Sequence, residues 1–310
     1  MTNRRNFLQQ LGGLAALSAL PTSSIFAEPS KPLFFEISLA EWSLHKAIFG
    51  KSMSNLEFPE KAKKDYGINI VEYVNTCFFD KTNDFKANGK NPAYLKELLM
   101  RCNDNGVSNH LIMCDAEGEM GTLDEKKRIE AVENHYKWVE AAKFLGCKTI
   151  RVNAAGKGTA EEVMTAAVDG LGRLSEFAGK VGINVIVENH GSYSSNGKWL
   201  SGVMKQVNMK NCGTLPDFGN FCIKYGSKGC EENYDRYIGT AELMPFAKGV
   251  SAKTNDFDAN GNELDKDYVK LLKIVKEAGF KGIIGIEYEG NRLSEPEGIK
   301  ATKALLERLG

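Results

Sequence analysis

From residue 33 onward two hydrophobic patterns alternate along the chain. Short runs rich in β-branched and apolar residues give way to longer runs with apolar residues at helical spacing among charges. The short runs are LFFEISL (33–39), INIVEYV (68–74), VSNHLIM (107–113), KTIRVN (148–153), NVIVEN (184–189), CGTLPD (212–217), KGVSAK (248–253) and GIIGIEY (282–288). The longer runs carry helix punctuation. Asn91 stands as an N-cap before Pro92 at the first helical position, and that run stops at Gly106. The run from Thr122 closes at Gly146, and residues 159–182, 265–280 and 295–310 have the same form. Eight strands, each followed by a helix, predict an α/β chain folded as a (β/α)8 TIM barrel. An open doubly wound sheet is the alternative. Such a sheet usually follows its first strand with a glycine-rich phosphate loop, and AEWSLHKAIFG (40–50) is not one.

Length and composition fit this picture. The 310 residues suffice for one barrel, and no composition break marks a linker, so residues 28–310 are expected to form a single domain. Residues 1–27 read as an export signal instead. Arg4 and Arg5 precede Phe7 and Leu8, the apolar stretch LGGLAALSAL follows, and Ala27 offers a small residue for cleavage. The stretch is shorter than the roughly 20 apolar residues a membrane span needs. It resembles a bacterial twin-arginine signal, which implies export to the periplasm without a stable membrane anchor after processing. An ordinary secretory signal is the other reading.

The charges change the picture only by exclusion. Forty basic and forty acidic residues cancel. A balanced chain with no Lys/Arg run gives no electrostatic reason to expect nucleic acid or an anionic membrane as partner. Among the seven cysteines, Cys114, Cys147 and Cys212 sit in runs expected to be buried and read as small apolar residues. Cys222 and Cys230, eight apart in CIKYGSKGC, are candidates for a small disulfide.

Barrel chemistry gathers at the C-terminal ends of the strands. The second run brings Glu72 and Asn75 there, and the third His110, Asp115 and Glu117. The fourth brings Arg151 and Asn153, the fifth Glu188, Asn189 and His190, and the sixth Asp217 and Asn220. The seventh supplies Ser251, Lys253, Asn255 and Asp256, the eighth Glu287 and Glu289. Glu188, Asp217 and Glu287 each directly follow an apolar strand. Carboxylates that converge in a barrel mouth repel one another and need a cation, a proton or a basic partner. A divalent metal held by carboxylate oxygens answers that need, as does a salt-bridge layer with Lys253 and Arg151 as counter-ions. Trp42, Tyr73 and Phe218 lie near strand ends and are candidates either for apolar walls of a binding site or for ordinary packing.

The order Glu, Asp, Glu on the fifth, sixth and eighth strands resembles the xylose isomerase-like TIM-barrel superfamily. The matching segments are VIVENHG, LPDFGNF, GVSAKTNDFD and GIIGIEYEG, together with Gly67-Ile-Asn-Ile-Val-Glu72 on the second strand. The resemblance covers nearly all of the chain after the signal. It implies an isomerase or epimerase acting on a small keto sugar, with Glu188, Asp217 and Glu287 as metal ligands. By the same resemblance Glu188 and Glu287 would be the proton-moving carboxylates, and Glu72, Arg151, Asn153 and Asn220 would bind substrate. A lyase or hydratase working through the same enediolate is an alternative, and so is a sugar-binding barrel without catalysis. An exported enzyme rarely meets sugar phosphates, so a non-phosphorylated sugar is expected. The superfamily's endonucleases use a His-rich zinc site, which a chain with four His does not match.

One departure stands out. The family usually carries a His-x-Lys-Asp sequence on the seventh strand, and here it reads Ser251-Ala-Lys253-Thr254. Ser251 is then the candidate fourth ligand. Carboxylates with a hydroxyl suit Mn²⁺ or Mg²⁺, with Zn²⁺ as the softer alternative. Lys253 could instead neutralise the carboxylates, make the site metal-free, or act in catalysis. His190, two residues beyond Glu188, could replace the missing imidazole, serve as acid or base, or simply bond to loop backbone.

Overall fold

The computed structural model describes residues 32–310. The expected export signal, residues 1–27, lies outside the described residues. Among the described residues there are ten strands: β1 (Glu36–Ala40), β2 (Ile70–Val74), β3 (Ser108–Met113), β4 (Thr149–Val152), β5 (Asn184–Glu188), β6 (Cys212–Leu215), β7 (Cys222–Gly226), β8 (Gly229–Asn233), β9 (Val250–Thr254) and β10 (Ile283–Tyr288). Eight of them form one parallel sheet in the order β6-β5-β4-β3-β2-β1-β10-β9. The sheet closes on itself between β6 and β9 through single bridges, Thr214 with Ala247 and Asp217 with Ser251. Backbone bonds from Ser251 N to the Pro216 carbonyl (2.9 Å) and from Phe218 N to the Ser251 carbonyl (3.1 Å) cross the same seam. The result is the expected (β/α)8 barrel. The eight strands fall within three residues of the predicted ends.

Period-two alternation explains why so polar a set of strands forms a stable barrel. In β9, Val250 and Ala252 are fully buried and face the helices, while Ser251 and Lys253 point inward. In β10, Ile284 and Ile286 face out, and Gly285 and Glu287 face in. In β2, Val71 and Tyr73 face out and Glu72 faces in. The outward residues pack beneath surrounding helices that include Pro92–Asn105, Glu125–Leu145, Ala160–Gly179 and Glu295–Leu309. Asn91 accepts from Ala93 N and Tyr94 N, and Gly106 terminates that helix in the left-handed region (φ 63°), as the punctuation predicts. Among the described residues no helix is long and apolar enough to cross a membrane.

The seventh and eighth strands of the chain form a separate antiparallel hairpin after β6. Its residues alternate poorly and are mostly exposed, so no hydrophobic pattern announces it. A Cys222–Cys230 disulfide staples it. The other five cysteines are buried and free.

Candidate active site

Strands β5 and β10 and the residue pair just beyond β6 deliver Glu188, Glu287 and Asp217 to one point. One oxygen from each lies within 4.8 Å of the others, and all three residues are buried. Each is held from more than one side. Asp217 Oδ1 accepts from Gly219 N (2.7 Å) and Asn220 N (2.8 Å). Ser251 Oγ lies 2.7 Å from Asp217 Oδ2 and 2.9 Å from Glu287 Oε2, bridging the two carboxylates from β9. Asn220 Nδ2 donates to Glu188 Oε1 at 2.9 Å. Asn189 turns away from Glu188. Its amide donates to the Asp217 and Asn220 carbonyls and accepts from Asp217 N, which clamps the loop that carries Asp217.

Two cations enter the cluster. Lys253 Nζ stands 3.2 Å from Glu287 Oε1, 3.9 Å from Asp217 Oδ2 and 3.3 Å from Glu289 Oε2. It also donates to Asn220 Oδ1 at 3.2 Å. Arg151 reaches in from β4. Its Nη1 donates to Asp115 Oδ1 (2.7 Å), and its Nε lies 2.9 Å from Glu188 Oε2. That second approach is off the hydrogen-bond direction, so both atoms are buried with bonding capacity unused. Asn153 donates to Asp115 Oδ1 at 2.8 Å and completes this side.

The electrostatics sort the carboxyls. Burial pushes Glu188 up to about 8, with Glu287 and Asp217 adding repulsion that Arg151 offsets only in part. Burial also raises Asp217, against Lys253. At Glu287 burial acts in the same sense, but Lys253, the Ser251 hydroxyl and Arg151 outweigh it and hold the carboxyl below its ordinary value. Asp115 falls to about 2 because Arg151 and Asn153 overcome its burial. Lys253 is held charged: its acidic neighbours raise it well above the ordinary lysine value despite burial.

The remaining predicted residues are placed differently. Glu72 is not at the mouth. Its carboxyl accepts from Ser38 Oγ at 2.7 Å and lies over Gly285, where a Cβ would come within 2.8 Å of it. Gly285 precedes Glu287 by two residues on the same inward face, so Glu72 belongs to the layer below, and its predicted substrate contact is corrected to a place in the barrel interior. His190 stands outside the carboxylate cluster and is exposed. Strand β5 ends at Glu188, and Gly191 (φ 81°) and Ser192 (φ 52°) turn the chain away, with His190 N donating to Ser194 Oγ. Partial desolvation, Arg151 and Lys253 keep its imidazole below the ordinary value. It therefore does not replace the imidazole that Ser251 lacks. His110 sits in the first half of β3, and its Nε2 is buried beside Gly249 below the mouth. Glu117 is committed to Lys137 (2.7 Å) and Trp138. Tyr73 and Phe218 are fully buried in packing, and only Trp42 is half-buried, stacked on His45.

The family profile described as xylose isomerase-like TIM barrel matches residues 61–309, and the chain belongs to that family. Solved structures share the fold at low identity. A D-tagatose 3-epimerase-like protein superposes with a TM-score of 0.66 at 18% identity, covering 89% of this chain and 97% of that one. The IolI protein with a bound zinc atom gives 0.66 at 17%, covering 89% and 99%. The 3-keto-D-glucoside 4-epimerase YcjR from E. coli gives 0.65 at 13%, covering 88% and 99%. No curated protein matches the chain significantly.

Proposed function

We propose that the protein is a divalent-metal-dependent isomerase or epimerase of a non-phosphorylated keto sugar. The observation that carries this is the buried convergence of Glu188, Asp217 and Glu287 within 4.8 Å at the barrel mouth. The cluster fits a cation. Its three carboxylates outnumber the two nearby cations, Lys253 and Arg151, and Glu188 Oε2 is buried without a hydrogen bond. Glu188, Asp217 and Glu287 would hold the ion, with the Ser251 hydroxyl beside them. All of these are oxygen donors, which favours Mn²⁺ or Mg²⁺ over Zn²⁺. When bound, such an ion polarises a sugar carbonyl and makes the adjacent C–H more acidic. Superposition on sugar epimerases supports the same reading.

The protein's own groups supply the proton traffic. Glu287, the carboxyl of the cluster held below its ordinary value, accepts the proton next to the carbonyl. Glu188, the facing carboxyl of the same cluster, is placed to return one. Lys253 and Arg151 add positive charge where a substrate oxyanion would develop. Asn220 fixes the orientation of Glu188, and Asn153 that of Asp115 and hence of Arg151.

The test is a panel of free keto sugars and keto-glycosides incubated with the protein in deuterated solvent with Mn²⁺. Deuterium entering next to the carbonyl is expected, with or without net product. Activity confined to phosphorylated sugars sinks the substrate class. Loss of water from the sugar points to the lyase alternative. Sugar binding with no exchange leaves only a binding barrel.

A further inference from the structure

We infer that Lys253 is a tethered competitor of the metal: its ammonium occupies part of the carboxylate cluster and must withdraw for an ion to bind. The inference rests on the reading that Glu188, Asp217 and Glu287 form the metal site. The ammonium stands 3.2 Å from Glu287 and 3.9 Å from Asp217, two of the three carboxylates that converge there. A monovalent ammonium and a divalent ion cannot share those oxygens without strong repulsion, because both are buried and little solvent screens them.

The approach of Lys253 is built into the fold. Its backbone is fixed in β9, and its carbonyl accepts from Tyr268 Oη at 2.9 Å. Its stem runs over Gly219, where a Cβ would lie 2.8 Å from Lys253 Cδ and 3.1 Å from Cγ. Any side chain there would crowd the stem, so the loop is cleared for it. A place of withdrawal is built too. Two of the four oxygens around Nζ lie outside the carboxylate trio, Glu289 Oε2 at 3.3 Å and Asn220 Oδ1 at 3.2 Å. Glu289 is the more exposed carboxylate of the set, with 29% of its side chain accessible. A lysine has the rotatable stem to keep those two contacts while releasing Glu287 and Asp217. The cluster therefore has two states, one with ammonium inserted and one with metal inserted and ammonium held by Glu289.

The experiment measures Mn²⁺ affinity on EDTA-stripped full-length protein by the loss of the free-ion EPR signal. Wild type is compared with Lys253→Met and Glu289→Gln. Lys253→Met is expected to bind Mn²⁺ at least tenfold more tightly, and added Mn²⁺ to raise its melting temperature more than it raises that of wild type. Glu289→Gln is expected to bind several-fold more weakly, because the ammonium loses its alternative partner. Equal or weaker binding by Lys253→Met overturns the inference. If Lys253→Met fails to fold, unchanged affinity in Glu289→Gln overturns it alone. Failure of wild type and variants to bind Mn²⁺, Mg²⁺ or Zn²⁺ overturns both the competition and the metal reading. Competition without deuterium exchange into sugars leaves the inference standing and removes only the proposed reaction.

Discussion

Two sides of the same barrel bury carboxyl groups and treat them in opposite ways. On the β1–β2 side Glu41 and Glu72 meet only neutral donors. Glu41 accepts from Asn55 Nδ2 and Val74 N, and Glu72 accepts from Ser38. Burial dominates there and pushes Glu41 up to about 8 and Glu72 to about 7. On the side built by β4, β5, β9 and β10, Glu188, Asp217 and Glu287 meet Arg151 and Lys253 as well. There the carboxyls are driven apart, with Glu287 lowered and Glu188 raised. Depth of burial is alike on both sides, so burial alone does not mark a reaction site. Fixed charges that drive neighbouring carboxyls apart are the better marker of a candidate one.

The largest test of this contrast is Glu188→Gln. It is expected to lower exchange activity about a thousandfold, within the range for losing a positioned proton-transfer group, and to weaken Mn²⁺ binding; unchanged activity would make both sides structural. Glu41→Gln probes the other side through stability. Glu41 is raised in the folded protein, so the folded state binds more protons than the unfolded state between about pH 4.5 and 8. Stability from this group is present at low pH and is lost as pH rises through that window. Removing the titration should make the variant gain on wild type by on the order of 2–3 kcal/mol between pH 5 and 8 in urea melts. A flat difference would mean that Glu41 ionises freely. Asn220→Ala removes the bonds to Glu188 and Lys253 and should cost about tenfold in kcat with little change in melting temperature. Ser38→Ala is the mildest: it should cost about 1 kcal/mol of stability and leave exchange intact, placing Glu72 outside the chemistry.

The barrel was legible because its strands are short, apolar on the helix-facing side and evenly spaced. Polar inward residues such as Ser251 and Lys253 disturbed the pattern in 248–253 too little to hide it. The stapled hairpin was not legible as strands, because exposed Glu231, Glu232 and Lys224 carry no periodic signal. Cys222 and Cys230 alone pointed to it. The trio Glu188, Asp217 and Glu287 could be read from position, since each ends an apolar run. Depth along a strand could not. His110 and Glu72 carry chemistry-bearing groups, but register places both below the mouth. The turn at Gly191 and Ser192 likewise depends on backbone angles that a run of letters does not show. Period-two alternation turns Asn189 away from Glu188, but spacing could not reveal that it serves the loop of Asp217.

The narrow seam between β6 and β9 bears on how the protein acquires its chemistry. Everywhere else neighbouring barrel strands share a ladder of several pairs, interrupted only by a register shift between Val71 and Glu72 where β2 meets β3, and β1 and β10 join the two ends of the domain. At the seam only isolated bridges hold, and one of them pairs Asp217 with Ser251. Asp217 meets Ser251 and Lys253 only across that join, so an unclosed sheet leaves Glu188 and Asp217 on one edge and Glu287, Ser251 and Lys253 on the other, both open to water. Ligand affinity then becomes a gauge of ring closure during folding, and a chain arrested one join short would look nearly native by helix content and yet be inert.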